Sequence, residues 1–225
     1  FAVEEPGYEK IRRVYGAGGV RCISAPMDAE GVMPQALMDA QVLHISPSHH
    51  FPTGLVTPLS RRQALLGWAA AGNWIEDDYD SEFRFASHPL PAMQSMSPER
   101  VIYINSFSKS LAPSIRISYM ALPPALMEKF RRELDFYSCT VPSFEQYTLA
   151  RFLSDGYFEK HINRMRRFYQ KHRNQVIEAL NGCPVAAKLT ILEQDAGLHF
   201  LVHVDTQWTD GQLTAWLRSR GIRVQ

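Results

Sequence analysis

Cysteine is scarce in this sequence: Cys22, Cys139 and Cys183 are the three among 225 residues, odd in number and far apart. No CxxC pair and no Cys/His spacing of a zinc site occurs, which excludes a disulfide framework and leaves reduced, cytoplasmic thiols as the expected state. An excess of either charge is also missing. The net charge of +1 implies no general affinity for polyanions. No apolar run is long enough to span a bilayer, and no stretch reads as a signal peptide, so no membrane partner is expected. Internal repeats and low-complexity segments are absent too.

What is present is material for a folded core. Hydrophobic residues make up 45% and charged residues 21%, the balance of an ordinary globular domain. The opening "FAVEEPGY" reads as a strand already under way and the closing "GIRVQ" as another, so the chain is expected to be a piece of a longer polypeptide. In between, apolar strands alternate with helical stretches. Strands are predicted at "FAV", "VRCISAP", "QVLHISP", "WIEDDY", "VIYINSF" and "IRISYMALP". Helices are predicted after the Pro6-Gly7 turn, at "PQALMDA", and at "SRRQALLGWAAAGN" with a C-cap at Gly72-Asn73. This alternation argues for an α/β fold with a mostly parallel sheet covered on both faces, in which ligands collect beyond the carboxyl ends of the strands.

The second half changes character, with a smaller second domain expected after Ser154-Asp155-Gly156. "SFEQYTLARFLSD" and the long amphipathic "YFEKHINRMRRFYQKHRNQVIEALNG" read as helices. "AKLTILEQ" and "LHFLVHV" read as strands, "DGQLTAWLRSRG" as a helix and "IRVQ" as a further strand. Two units are therefore expected, a large α/β domain over residues 1–153 and a smaller α+β one over residues 157–225.

Three segments carry candidate chemistry. "YINSFSKSLAPSIRISY" places Lys109 just past a strand, with Ser106, Ser108 and Arg116 nearby, which reads either as a surface lysine in a Ser-rich loop, the commoner case, or as a lysine held in a pocket among phosphate donors. Ser106-x-x-Lys109 also matches the element of serine β-lactamases, but no S-D-N or K-T-G partner follows, so that reading fails. The acidic run "IEDDYDSEF" has three readings. It could be an exposed acidic loop, the commonest fate of such a run; a Mg²⁺ cluster; or a grip on a heteroaromatic ring by Asp77 and Tyr79, which strand alternation puts on one side. In "SPSHHFPTG", His49 and His50 are assigned to turn or pocket-wall roles. The basic cluster Arg164, Arg166, Arg167, Lys171, His172, Arg173 lies on one helix with Glu159 and Glu178, and reads as its solvated face rather than a nucleic-acid strip.

The order "EEPGY", "SPSHHFPTG", "IEDDYDSEF", "SFSKSLAPSIRISY", "HINRMRRFYQKHR", "AGLHF" resembles the fold-type-I pyridoxal-phosphate (PLP) aminotransferases, and within them the aminotransferase-like domain of MocR/GabR-type bacterial transcription regulators of the GntR family. The resemblance covers essentially the whole chain. It implies a fold-type-I large domain followed by part of a small domain, and PLP as cofactor. Lys109 would carry the cofactor as a Schiff base and act as base and acid. Asp77 would keep the pyridine nitrogen protonated, Tyr79 would bond the cofactor's phenolic oxygen, and Ser106, Ser108 and Arg116 would hold its phosphate, with Tyr8 stacked on its face.

The sequence also departs from that family. Ser114 and Ser118 stand where glycines are usual, and Phe51 stands where ordinary aminotransferases have asparagine before "PTG". The glycine-rich phosphate cradle is expected before Phe1 and the carboxylate-binding arginine after Gln225, with the DNA-binding domain further upstream. By itself the chain is not expected to complete a transamination cycle. The resemblance implies an effector and dimerisation domain taking an amino acid or amine and working as a homodimer. The rivals are a free-standing aminotransferase and a PLP-free structural module.

Overall fold

The structure is a computed structural model and describes residues 1–37, 39–69, 73–85 and 90–224. Its centre is a seven-stranded sheet. Strands β1 (Ala2–Glu5), β2 (Ile23–Asp28), β3 (Gly31–Val32), β4 (Val42–Ile45), β5 (Asn73–Asp77), β6 (Val101–Ser106) and β7 (Ser118–Ala121) stand in the order β3-β2-β1-β4-β5-β6-β7. The five contiguous strands from β2 to β6 run parallel; β3 and β7 close the two edges antiparallel. Short apolar strands that bury successive residues, such as Ala2 and Val3, need cover on both faces, and this is why the sheet is parallel and wrapped.

The first cover is α1 (Glu9–Ala17) and α2 (Leu59–Trp68). A core of Ala2, Ala25, Leu37, Leu43, Ile45, Leu65 and Val101 fills the space between sheet and helices. Inside α2, Arg62 is completely buried and donates to the carbonyls of Pro47, Thr57 and Pro91 at 2.7, 2.9 and 3.0 Å. It thereby ties the loop after β4 to the loop before α3 (Met93–Met96). Buried Glu76 receives the Met93 and Gln94 N–H groups at the start of α3, both at 2.9 Å. Burial pushes Arg62 and Glu76 towards their neutral forms, and the backbone bonds and their mutual attraction at 4.0 Å oppose that.

The remaining helices are α4 (Phe107–Ser110), α5 (Pro124–Leu134), α6 (Ser143–Ser154), the 25-residue α7 (Tyr157–Asn181) and α8 (Asp210–Ser219). β8 (Leu189–Leu192) and β9 (Leu201–Val204) form a separate antiparallel pair. The start of α8 is a capping box, Thr209 Oγ1 accepting from Gln212 N while Gln212 Oε1 accepts from Thr209 N. The stretch at 83–85 hydrogen-bonds through its backbone to 195–197, by Phe85 N to Asp195 O at 2.9 Å and Gly197 N to Phe83 O at 2.7 Å. Two of the arginines expected on a solvated face brace this seam. Arg166 donates to Glu82 O, and Arg173 donates to Gln194 O while lying 4.6 Å over the Phe85 ring.

Several expectations need correction. "PQALMDA" gives only a 3-10 turn, Pro34–Ala36, with Met38 outside the described residues. α2 ends at Trp68 and Asn73 already opens β5; Gly72 of the expected cap lies outside the described residues. Residues 222–224 form no strand. α5 was not anticipated from sequence; Pro124 at its first position presets the helical φ where no N–H is required.

Candidate functional site

Parallel strands aim their carboxyl ends at one edge of the sheet, and the candidate residues gather there. β1 ends beside Glu4, β4 leads into 46–54, β5 stops at Asp77, and β6 delivers Ser106 and then Lys109. β6 and β7 pair Ser106 with Ser118, and Phe107 N donates to Ile117 O at 2.9 Å, so the Lys109 and Arg116 segments lie side by side. Arg116 has φ of 50°, a left-handed conformation that costs a non-glycine residue on the order of 1 kcal/mol. Lys109 and Arg116 are both exposed, not enclosed as expected, and neither has an ion pair or side-chain hydrogen bond among the described residues. Ser106 and Ser108 are half-buried on the same turn.

The acidic run is not an exposed loop. Glu76, Asp78 and Asp80 are buried, each with its own work. Asp78 accepts from the Tyr103 hydroxyl at 2.9 Å, and that hydroxyl in turn accepts from Asn105 at 3.1 Å. Asp80 accepts from His49 Nδ1 at 2.9 Å and Leu198 N at 3.2 Å. Asp77 is left partly open: its side chain is 26% accessible, and His44 Nε2 is 3.7 Å from its Oδ2. His44 reaches it because β4 and β5 are neighbours, and its Nδ1 is hydrogen-bonded to Tyr15 at 2.7 Å. Burial, with the Asp77 charge second, raises the Tyr15 phenol to about 12, so it stays protonated.

Tyr79 does not belong to the strand. β5 stops at Asp77, so the alternation argument does not extend to it. Its hydroxyl is nonetheless buried without a hydrogen-bond partner among the described residues. Burial, then the charges of Asp80, Asp77 and Glu4, push that phenol strongly upward, which keeps it a donor. Tyr8 stands just ahead of α1, 46% exposed, edge-on to Phe51 at 5.7 Å.

Glu4, His44, Asp80, Tyr15 and His199 are site residues that sequence reading did not single out. Glu4 accepts from Ser46 N at 3.0 Å and faces His50 Nε2 at 3.4 Å. Burial raises Glu4 to about 8 and lowers His50 to about 4, so near neutral pH the two meet as uncharged groups and not as an ion pair. His49 and His50 are deep in the wall, as expected of pocket-wall residues.

Fold and site together define a class: an α/β protein of fold type I, with a lysine after β6, an arginine before the antiparallel edge strand β7, and an aspartate at the tip of β5. The chain belongs to the aminotransferase class I and II family, whose profile matches residues 1–225. It is 42% identical over 206 residues to the HTH-type transcriptional regulator YhdI of Bacillus subtilis, covering 89% of this chain and 44% of that protein. It is 32% identical over 227 residues to the HTH-type pyridoxine biosynthesis transcriptional regulator PdxR of Corynebacterium glutamicum, covering 100% of this chain and 49% of the regulator. The chain thus spans about half the length of the curated relatives it matches. Among solved structures it is similar to Pyrococcus horikoshii kynurenine aminotransferase in complex with PMP. That match has a TM-score of 0.84 at 25% identity and covers 99% of this chain and 58% of the other.

Proposed function

We propose that this chain is the PLP-binding, aminotransferase-like effector part of a MocR-type transcription regulator of the GntR family. The observation that carries the cofactor reading is the Tyr79 hydroxyl, buried and unpartnered beside an aspartate that is itself only loosely paired. The surrounding residues fit PLP in kind. Lys109 offers an exposed amine, Arg116 an exposed guanidinium for a phosphate dianion, and Asp77 a carboxylate for a ring N–H. Bound there, the cofactor supplies an electron sink. Lys109 would hold it and move a proton, Asp77 would keep the ring nitrogen protonated, and His44 lies 3.7 Å from Asp77. Tyr79 would donate to the phenolic oxygen, Ser106, Ser108 and Arg116 would hold the phosphate, and Tyr8 would cover one face.

The regulator reading is supported by the HTH-type relatives, which extend well beyond this stretch. On it, residues 1–153 form the cofactor-binding domain and residues 157–225 the long helix and small domain. An amino acid or amine is the ligand, DNA is contacted only through a domain outside these residues, and the protein is cytoplasmic. A homodimer is favoured by a run of bare aromatic side chains, Phe136, Tyr137, Phe144 and Tyr147, the most exposed of them 80% accessible. A free-standing aminotransferase is the second reading, favoured by a 27% identity to Aromatic-amino-acid aminotransferase 1 of Thermococcus litoralis.

The test is to add PLP and a panel of amines to the full-length protein while following promoter-DNA binding and keto-acid release together. Ligand-dependent DNA binding without sustained release supports the regulator. Sustained release with no effect on DNA supports the enzyme.

A further inference from the structure

Three donors that sequence keeps far apart meet in the wall behind Tyr79. One ligand-capable atom each from His49, Asp80 and His199 lies within 4.8 Å of the other two. His49 and Asp80 are each 2% exposed. The His49 and His199 rings are 4.1 Å apart between centroids, and the Tyr79 ring is 6.4 Å from His49. The contact depends on Gly197: a Cβ at that position would come within 1.8 Å of His49 Nδ1. The bare glycine lets the 196–199 segment settle on the imidazole, and the Leu198 N–H on Asp80 then locks it.

This arrangement selects a tautomer. His49 Nδ1 donates to the Asp80 carboxylate, which leaves His49 Nε2 with its lone pair free. That Nε2 and His199 Nε2 are both buried with no hydrogen-bond partner among the described residues. A buried nitrogen left unmatched is destabilising, and each of these two, on rings 4.1 Å apart between centroids, calls for a partner. A carboxylate orienting an imidazole whose other nitrogen faces a cation is the usual outer support of a metal-bound histidine.

We infer that His49, His199 and Asp80 form a binding site for a borderline divalent transition metal of the Zn²⁺ type. Asp80, bonded to His49 Nδ1, orients that imidazole from behind. Two imidazole nitrogens favour Zn²⁺, Co²⁺ or Ni²⁺ over Mg²⁺ and Ca²⁺, which take all-oxygen shells. A four-coordinate ion on two protein ligands keeps two positions for water or another ligand. The inference stands apart from the cofactor reading: it uses none of Lys109, Asp77, Tyr79 or Arg116.

The experiment loads the full-length protein with Zn²⁺, dialyses it against metal-free buffer and measures retained metal by mass spectrometry. It compares wild type with His199→Ala, His49→Gln and the exposed control His203→Ala. The expected result is about one site-bound zinc per chain in wild type and in the control, with affinity at least tenfold weaker in His199→Ala. Absence of retained zinc in wild type, or equal retention in His199→Ala and wild type, overturns the site. Should both histidine variants misfold, X-ray absorption at the zinc edge of the wild type decides. A first shell with two imidazoles supports the assignment, and a shell without histidine sinks it. Because the readout is metal and not cofactor absorbance, a failure to bind PLP leaves the test intact.

Discussion

His44 Nε2 stands 3.7 Å from Asp77 Oδ2, while the Tyr15 hydroxyl holds the opposite ring nitrogen at 2.7 Å. Asp78, one residue on, is turned the other way and is held by Tyr103. Neighbouring aspartates therefore carry different duties, and substitution separates them. In the full-length protein Asp77→Asn should keep the fold and slow ligand-dependent proton exchange by on the order of a hundredfold. Asp78→Asn should cost about 1 kcal/mol of stability with little change in that rate. Hydrogen–deuterium exchange at the ligand's α-carbon together with urea unfolding reads both. The reverse pattern would show that the assignment is one residue out.

Lys109 is exposed and has no ion pair or side-chain hydrogen bond among the described residues, so replacing it is expected to remove no stabilising contact. Lys109→Ala should unfold at the same urea concentration as wild type. With PLP added, only wild type should show a visible band that borohydride fixes to the protein, and peptide mapping should find the label on residue 109. A label on another lysine defeats the assignment.

Glu4 should tilt stability against alkaline pH. Its folded-state pKa, about 8, is above the ordinary carboxylate value, so the folded protein holds a proton that the unfolded chain releases. Stability is full below the unfolded pKa and declines as pH rises towards about 8, at up to about 1.4 kcal/mol per pH unit from this group. Glu4→Gln should flatten that decline. Denaturant titrations at pH 5, 6, 7 and 8 (about one unit apart, to span the window) measure it, and parallel curves for the two proteins would refute it.

Gly197 and Gly67 should respond in opposite directions to alanine. At 197, φ is 68° and the new methyl meets His49, so a loss of about 3 kcal/mol is expected. At 67, inside α2, a Cβ would meet nothing within 4 Å, and helix propensity favours alanine by up to about 1 kcal/mol. Thermal melts of the two variants check both signs.

Phe144 and Tyr147 are expected to be covered by a second copy of the chain. Phe144→Asp should weaken self-association by at least tenfold, because a charge would have to be desolvated at the interface. Sedimentation across a wide concentration range tests this. A wild-type protein that stays monomeric throughout is the adverse result.

The sheet was legible because its signal is local. Runs such as "VIYINSF" end where the chain turns, and the motif around Lys109 is contiguous. The same locality explains the misses. Glu76, Asp80 and Arg62 belong to residue types that normally sit in water, and nothing near them in sequence marks the backbone donors and carbonyls that make their burial affordable. Pairing Tyr79 with Asp77 by alternation assumed a strand that continues, whereas β5 gives way to a turn. His49, Asp80 and His199 are 31 and 119 positions apart, so only the fold brings them together.

The long helix α7 is fastened at three levels. His161 donates to Ser110 O near the lysine turn, Arg166 grips Glu82 O, and Arg173 grips Gln194 O. A rod of 25 residues, roughly 37 Å at 1.5 Å per residue, pinned at such intervals behaves as a ruler. It fixes the spacing between the turn that bears Lys109 and the strip that bears His199. Sliding by one helical turn would unseat all three clasps at once, so small slippages have no intermediate resting place. A tilt of the rod about any one clasp would have to strain or break the other two.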